Sequence, residues 1–189
     1  MSTINYVIVE VEKAYNNEVV LSTGLNIVVN TTIESVEHIN RKAVVVEAPD
    51  FTVLEEGDEV IIHHNILRLR NGVGGKMVSS SFHLEGNRYF VPLTEVFMYK
   101  RDGDWVCLDP FCFVKPVKAQ GQELYLGKDS THKGMEKLRG VMIHPNSQLK
   151  AMGIEKGDNI IFSPNSEYEF SIDGELCYKM ATRDIMAKV

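Results

Sequence analysis

The chain has 189 residues, 44% hydrophobic and 24% charged, with 20 Lys and Arg against 26 Asp and Glu. These proportions are typical of a globular protein with a real core, and the net charge of −6 argues against nucleic acid or anionic membrane as partners. No apolar run approaches the roughly 18 residues of a membrane span, and no signal sequence is visible. The odd count of three cysteines suggests reduced thiols, so we expect a cytoplasmic location.

Short runs of β-branched and aromatic residues, bounded by turn residues, predict strands along the whole chain. One helical turn is predicted at 147–152, ended by Gly153. Because no segment keeps a helical period over three turns, the predicted fold class is all-β, either a sandwich or a barrel. The predicted strands lie at 6–11, 27–29, 43–46, 59–62, 111–114, 140–143 and 159–162.

An internal repeat relates the two halves of the chain. Residues 54–62 and 154–162 share an apolar residue, a charged turn, Gly-Asp and an apolar strand in the same order. Glycine at the turn permits a positive φ, and the aspartate after it can accept hydrogen bonds from nearby amides. The flanking segments also align: 6–9 with 111–114, 85–90 with 173–178, and 93–98 with 181–186, the last placing Val96 opposite Asp184.

The repeat predicts two domains and a short connection. The seam falls at the polar, turn-prone residues 100–104, so we expect an N-terminal domain at 1–99, a linker at 100–110 and a C-terminal domain at 111–189. The first copy carries an insertion at about 66–78, where Asn71-Gly72 is a hairpin signal. This insertion is either a protruding hairpin with its own binding role or an extended pair of barrel strands.

The second copy resembles the GroES-type co-chaperonins. The likeness rests on 157–162, 172–175, 178–180 and 184–189, which follow the C-terminal pattern of that family, and the first copy is similar but degenerate. The resemblance implies two tandem GroES-like β-barrel domains. It also implies a co-chaperonin that forms a homo-oligomeric ring, caps a GroEL-type chaperonin ring and assists ATP-dependent protein folding, without a cofactor or an enzymatic activity of its own.

Members of this family bind the chaperonin through a mobile loop that carries a hydrophobic tripeptide. In this chain the corresponding intervals run from about 13 to 41 and from about 115 to 139. The resemblance places Ile27, Val28 and Val29 at the tripeptide position of the first copy, and Leu124, Tyr125 and Leu126 at that of the second. The alternative for both tripeptides is an ordinary buried strand.

Three motifs that suggest other chemistry fail on their spacing. Gly74-Gly75-Lys76 lacks the earlier glycine of a phosphate loop, and Met77 stands where that loop requires a Ser or Thr that binds magnesium. The two imidazoles of His63-His64 are expected on opposite faces of a strand, which argues against a metal site. The serines at 79–81 have no acidic residue at a spacing that would complete a hydrolase triad. The competing hypothesis is therefore a structural or interaction protein, for example a viral assembly or virion component, that binds through its insertion.

Overall fold

The computed structural model describes residues 5–15, 18–20, 26–28, 39–118 and 135–189. The fold class is all-β, as predicted, since strands dominate and the described residues contain one short α-helix. The chain divides into two compact units, Met1–Asp104 and Trp105–Val189. None of the helices in the described ranges has the length and apolarity that a membrane crossing requires.

The strands of the first unit form one antiparallel sheet and two separate hairpins. The sheet has seven strands in the order β8-β9-β1-β4-β5-β10-β11, and β2-β3 and β6-β7 are two-stranded sheets. The strands are β1 (Tyr6–Glu10), β2 (Glu18–Val20), β3 (Asn26–Val28), β4 (Lys42–Glu47), β5 (Glu59–Ile62), β6 (Arg70–Asn71), β7 (Met77–Val78), β8 (His83–Glu85), β9 (Arg88–Pro92) and β10 (Val96–Arg101); β11 (Asp104–Cys107) spans the unit boundary.

The second unit repeats the strand order of the first. Its sheet runs β15-β16-β12-β13-β14-β17, which matches β8-β9-β1-β4-β5-β10 strand for strand. A single helix, α1 (Ser147–Ala151), begins after the capping residue Asn146, whose side chain accepts the Leu149 N–H at 2.9 Å. The strands are β12 (Phe111–Lys118), β13 (Met135–His144), β14 (Asn159–Phe162), β15 (Tyr168–Ile172), β16 (Glu175–Ala181) and β17 (Ile185–Lys188).

The two sheets also share their irregularities. Opposite β5, strand β10 carries one extra residue, Phe97, and β17 carries Met186 in the same place opposite β14. Opposite β1, strand β4 carries Val46, and β13 carries Ile143 opposite β12. Such bulges bend a strand and increase its twist. Among the described strands no pairing joins the two outer strands of either sheet, so neither sheet is closed by hydrogen bonds.

Each unit buries an apolar core under its sheet. In the second unit Cys112, Val114, Ile160 and Phe162 contact one another, and Leu149 of α1 packs against them. All three cysteines of the chain are buried and free, as expected for small core residues. The buried cysteines are Cys107, Cys112 and Cys177.

The Gly-Asp repeat has the same backbone geometry in both units. Gly57 and Gly157 have φ of 93° and 96°, values that favour glycine. The Gly57 N–H donates to the carbonyl of Val45 at 2.9 Å, and the Gly157 N–H donates to that of Met142 at 2.8 Å. The turn therefore holds the start of β5 or β14 against the preceding strand.

The predicted alignment of the last strands is wrong by one residue. The carbonyl of Glu95 accepts the His63 N–H, and the carbonyl of Asp184 accepts the Ser163 N–H, so Glu95 and not Val96 is the equivalent of Asp184. The cause lies in the hairpin turns upstream. Gly86 is the first residue of its two-residue turn, whereas Gly174 is the second of its turn. Aligning the glycines therefore shifted everything that follows.

The insertion at 66–78 forms a separate hairpin. Strands β6 and β7 pair only with each other among the described strands, so the insertion does not extend the main sheet. Asn71 pairs with Met77, and the connection runs over 72–76 instead of the two-residue turn predicted at Asn71-Gly72. Gly74 and Gly75 both have positive φ, which the longer turn requires.

His63 and His64 do not point to opposite faces. Strand β5 ends at Ile62, and a 3-10 turn (His64–Ile66) follows directly, so the alternation of a strand is lost between the two histidines. Their rings stack with centroids 4.3 Å apart and an interplanar angle of 28°. The expectation from strand periodicity was therefore wrong.

Candidate functional site

The first predicted binding segment leaves the sheet between β1 and β4. Tyr15 and Ile39 form an antiparallel bridge, and the Asn40 N–H donates to the carbonyl of Ala14 at 3.0 Å. Ile39 is buried. These contacts hold together the two ends of residues 16–38, so the segment that contains the first tripeptide starts and finishes at one point of the first unit.

Part of the first tripeptide lies on a described strand. In the hairpin β2-β3, Val19 pairs with Ile27 and Glu18 pairs with Val28. The predicted strand is thereby confirmed for the backbone at Ile27 and Val28. Val29 lies outside the described residues. The role of the three residues in binding stays a prediction.

The second predicted segment leaves its sheet between β12 and β13, the equivalents of β1 and β4. Lys118 pairs with Met135, so the two ends of residues 119–134 are also adjacent. Leu124, Tyr125 and Leu126 lie outside the described residues. Both predicted tripeptides thus lie in connections whose ends are fixed by a pair of antiparallel strands.

The pair of strands that the second segment connects, β12 and β13, is irregular. The register shifts between Pro116 and Lys118, and Leu138 on the facing strand has φ of 59°. The left-handed conformation costs a residue with a side chain about 1–2 kcal/mol. Gly140 lies where a Cβ would overlap Val114 Cγ1 and approach the carbonyl oxygen of Lys115 to 2.9 Å. The two strands therefore approach too closely for a side chain at residue 140.

The base of the first segment is connected to the insertion. The hydroxyl oxygen of Tyr15 accepts the backbone N–H of Leu69 at 2.8 Å. Tyr15 belongs to the bridge with Ile39, and Leu69 precedes the insertion hairpin. One side chain thus couples the position of the insertion to the base of the segment 16–38. No local pattern predicts this contact, because the two residues are 54 positions apart.

Exposed apolar side chains lie on the connections between β4 and β5 and between β13 and β14. Phe51 is 69% exposed and Val53 57% exposed in the first unit. In the second unit Met152, which follows α1, is 69% exposed. Large apolar side chains at this exposure are candidates for contacts with another protein. Sequence analysis had assigned them no role.

The aspartates of the Gly-Asp turns have a structural role. Burial by itself raises the pKa of Asp58, but hydrogen bonds from Arg101 and from the Glu55 N–H outweigh it and lower that pKa. The pKa of Asp158 is lowered by the Glu155 N–H and then by Lys188. Both carboxylates are therefore held ionised by donors, as expected for structural acceptors.

The buried thiols of Cys107 and Cys112 are poor nucleophiles. Burial raises the pKa of Cys112 to about 12, and burial also raises the pKa of Cys107. A thiol that stays protonated at neutral pH neither attacks a substrate nor binds a metal readily. Within the ranges that the structure describes, no three His, Cys, Asp or Glu side chains are grouped to hold a metal ion.

Comparison with known proteins gives no match to a protein-family model and none to a curated protein. The internal repeat and the geometry of the two units are therefore the evidence that bears on function. The most specific feature is the pair of connections at 16–38 and 119–134, which leave equivalent strand pairs.

Proposed function

We propose that the chain is a co-chaperonin with two GroES-like β-barrel domains, which caps a GroEL-type chaperonin ring and assists ATP-dependent protein folding. One observation carries the proposal. The two units have the same strand order, and each sends one long connection out between equivalent strands, with its ends held together. Those two connections contain the hydrophobic tripeptides that the family resemblance assigns to chaperonin binding.

The barrel part of the proposal is supported by the shared bulges. Bulges at the same positions bend both sheets in the same way, as closure into a barrel requires. The proposed domains cover residues 1–99 and 111–189, with a linker at 100–110.

The energetics of such a contact require a ring. Burying Leu124, Tyr125 and Leu126 on a partner would contribute roughly 1.5–3 kcal/mol for each side chain. Ordering a segment costs about 1–2 kcal/mol for each residue that becomes fixed. A single segment therefore binds weakly, whereas several copies in a homo-oligomeric ring bind tightly through effective concentration. Such binding is reversible when the partner changes shape in its ATP cycle.

Native mass spectrometry of the full chain, alone and with a GroEL-type chaperonin and ATP, tests the proposal. We expect a closed homo-oligomer that joins the chaperonin only with nucleotide. Two double variants identify which copy binds the chaperonin. One is Leu124→Ser with Leu126→Ser, and the other is Ile27→Ser with Val29→Ser. Leu84→Ser is the matched control, because Leu84 is 39% exposed on β8 and lies outside both segments and outside the insertion. A monomer that ignores the chaperonin in every nucleotide state contradicts the proposal.

One observation favours the alternative of a structural or interaction protein. The insertion hairpin is separate from the main sheet, and its turn presents Val73 fully to solvent, with Val78 42% exposed. An apolar hairpin tip is suited to contact another protein. If Val73→Asp abolishes assembly with a partner and the leucine double variant leaves it intact, the alternative is preferred.

A further inference from the structure

The insertion hairpin borders a cleft of about 370 Å³ in the first unit. Arg68 and Arg70 both line the cleft, and so does Leu69 between them. Ser80 and Ser81, which follow β7 in the chain, also line the cleft. Asn65 and Asn71 complete the polar lining.

Six of the seven residues that line the cleft have polar or charged side chains, namely two arginines, two serines and two asparagines, and the seventh is Leu69. No Asp or Glu lines the cleft among the described residues. This is notable in a chain with a net charge of −6. Arg70 forms no ion pair with a described residue. The cleft therefore concentrates positive charge against the overall composition of the protein.

One of the two serines that line the cleft is buried. Ser80 is 7% exposed, and its Oγ accepts the backbone N–H of Phe82 at 3.1 Å. That contact uses a lone pair and leaves the hydroxyl hydrogen to be donated. Among the described residues Ser80 donates to no acceptor. A buried hydroxyl with an unused hydrogen is a built feature of a binding site, because leaving it unpaired costs free energy.

The neighbouring histidine reports the electrostatic potential beside the cleft. The pKa of His64 is lowered to about 4 by burial first, and then by the positive charges of His63, Arg41 and Arg68. Of the two cleft arginines, Arg68 contributes to this effect, so its charge disfavours another cation nearby. A bound anion would relieve this repulsion.

We propose that this cleft binds a phosphate group, either free or as the monoester of a small molecule. Guanidinium groups match phosphate oxygens with paired hydrogen bonds, and the serine hydroxyls supply further donors for the remaining oxygen atoms. The volume lies in the range of small-molecule sites. The site belongs to the first copy alone, because the second copy has no counterpart of the insertion. It is independent of the proposed co-chaperonin function.

Titration of the full ¹⁵N-labelled chain, followed by amide chemical shifts at constant ionic strength, tests the site. The probes are inorganic phosphate, glycerol phosphate and acetate, with chloride as the balancing salt. We expect both phosphates to shift the amides of Leu69 and Ser81 saturably, and acetate to bind at least tenfold more weakly. Tighter binding of glycerol phosphate identifies a monoester as the ligand, and tighter binding of inorganic phosphate identifies the free ion.

Matched single-charge variants complete the test. Arg70→Gln is expected to weaken phosphate binding at least tenfold, while Arg183→Gln, which removes an arginine 90% exposed in the second unit, leaves it unchanged. Unshifted amides outside the insertion show that Arg70→Gln is folded. Equal binding of acetate and phosphate overturns the proposal. So does equal weakening by both variants, or shifts that map away from the cleft.

Discussion

Arg101 clamps the carboxylate of Asp58 with two hydrogen bonds, from Nε to Oδ1 at 2.9 Å and from Nη2 to Oδ2 at 2.7 Å. The same carboxylate accepts the Glu55 N–H at 2.8 Å. Arg101 ends β10, so the clamp joins the Gly-Asp turn to the strand that pairs with β5. In the second unit Lys188 of β17 contacts Asp158 at 2.7 Å. A cation on β10 or on its equivalent β17 thus holds the turn in both copies.

We expect Asp58→Asn to destabilise the chain more than Asp158→Asn. Asp58 is 5% exposed and accepts a paired guanidinium, whereas the side chain of Asp158 is 21% exposed and meets a single ammonium. In Asp58→Asn an NH2 group replaces one carboxylate oxygen, so a donor faces Arg101 where an acceptor was. Hydrogen bonds to charged groups contribute about 1.5–3 kcal/mol. Urea denaturation of both variants measures the difference. Equal loss of unfolding free energy in the two variants would contradict the role given to burial.

Asp58 also sets part of the acid sensitivity. Its pKa in the folded state lies below the ordinary value of 3.8, so its contribution to stability is complete above about pH 4 and is lost as pH falls through the folded pKa. The free energy of unfolding of the native sequence is therefore expected to fall more steeply below pH 4 than that of Asp58→Asn. Denaturation curves at pH 5, 4 and 3 test this. Parallel curves would show that the carboxylate is not coupled to folding.

Much of the repeat was predictable, because it is encoded locally. A positive φ at Gly57 and Gly157 follows from a turn of a few residues, and such turns give the same backbone wherever their sequence recurs. The helical turn was also predicted to within a residue, since Asn146 and Gly153 mark its ends. These parts of the fold depend on neighbours in the chain.

The contacts between residues far apart in the chain were not predictable from the sequence. Arg101 and Asp58 are 43 residues apart, and no local pattern selects that arginine among the others. Likewise, strand periodicity misplaced His63 and His64, because the end of β5 depends on where the sheet stops pairing. The phosphate cleft was missed because Arg68 and Ser80 lie together only once the insertion hairpin is folded.

His64 is expected to make stability depend on pH between about 4 and 6.5. Burial first, and then His63, Arg41 and Arg68, lower its folded pKa to about 4, below the ordinary 6.5. Between these values the unfolded chain binds a proton that the folded chain does not, so stability falls as pH decreases through the window. His64→Gln should flatten the change in Tm between pH 6.5 and 4.5. A variant as steep as the native chain would exclude His64 as the cause.

Gly140→Ala tests the close approach of β12 and β13. An added Cβ would overlap Val114 Cγ1 and crowd the carbonyl of Lys115, so the strands must separate. Overpacking of this kind typically costs about 1–3 kcal/mol. The matched control is Ala43→Gly, since Ala43 pairs with Val60 as Gly140 pairs with Ile160. Unfolding free energies from denaturant curves are compared. An unchanged free energy of unfolding in Gly140→Ala would show that β12 and β13 can separate at little cost.

Tyr15→Phe tests the connection between the insertion and the base of the first segment. The variant keeps the ring but removes the oxygen that accepts the Leu69 N–H at 2.8 Å. A typical hydrogen bond contributes about 0.5–1.5 kcal/mol, so the global loss of stability should be modest. The sharper measurement is amide hydrogen exchange, which should become faster at Leu69.

Tyr6→Phe is the control for Tyr15→Phe, because it removes a tyrosine hydroxyl from β1 of the same unit without touching Leu69. If the contact also fixes the insertion, exchange should accelerate at the amides of 70–78 in Tyr15→Phe alone. Faster exchange confined to Leu69 would mean that the insertion is held by its own hairpin pairs. Unchanged exchange at Leu69 would mean that the hydrogen bond is not formed in solution, and the two elements would then move independently.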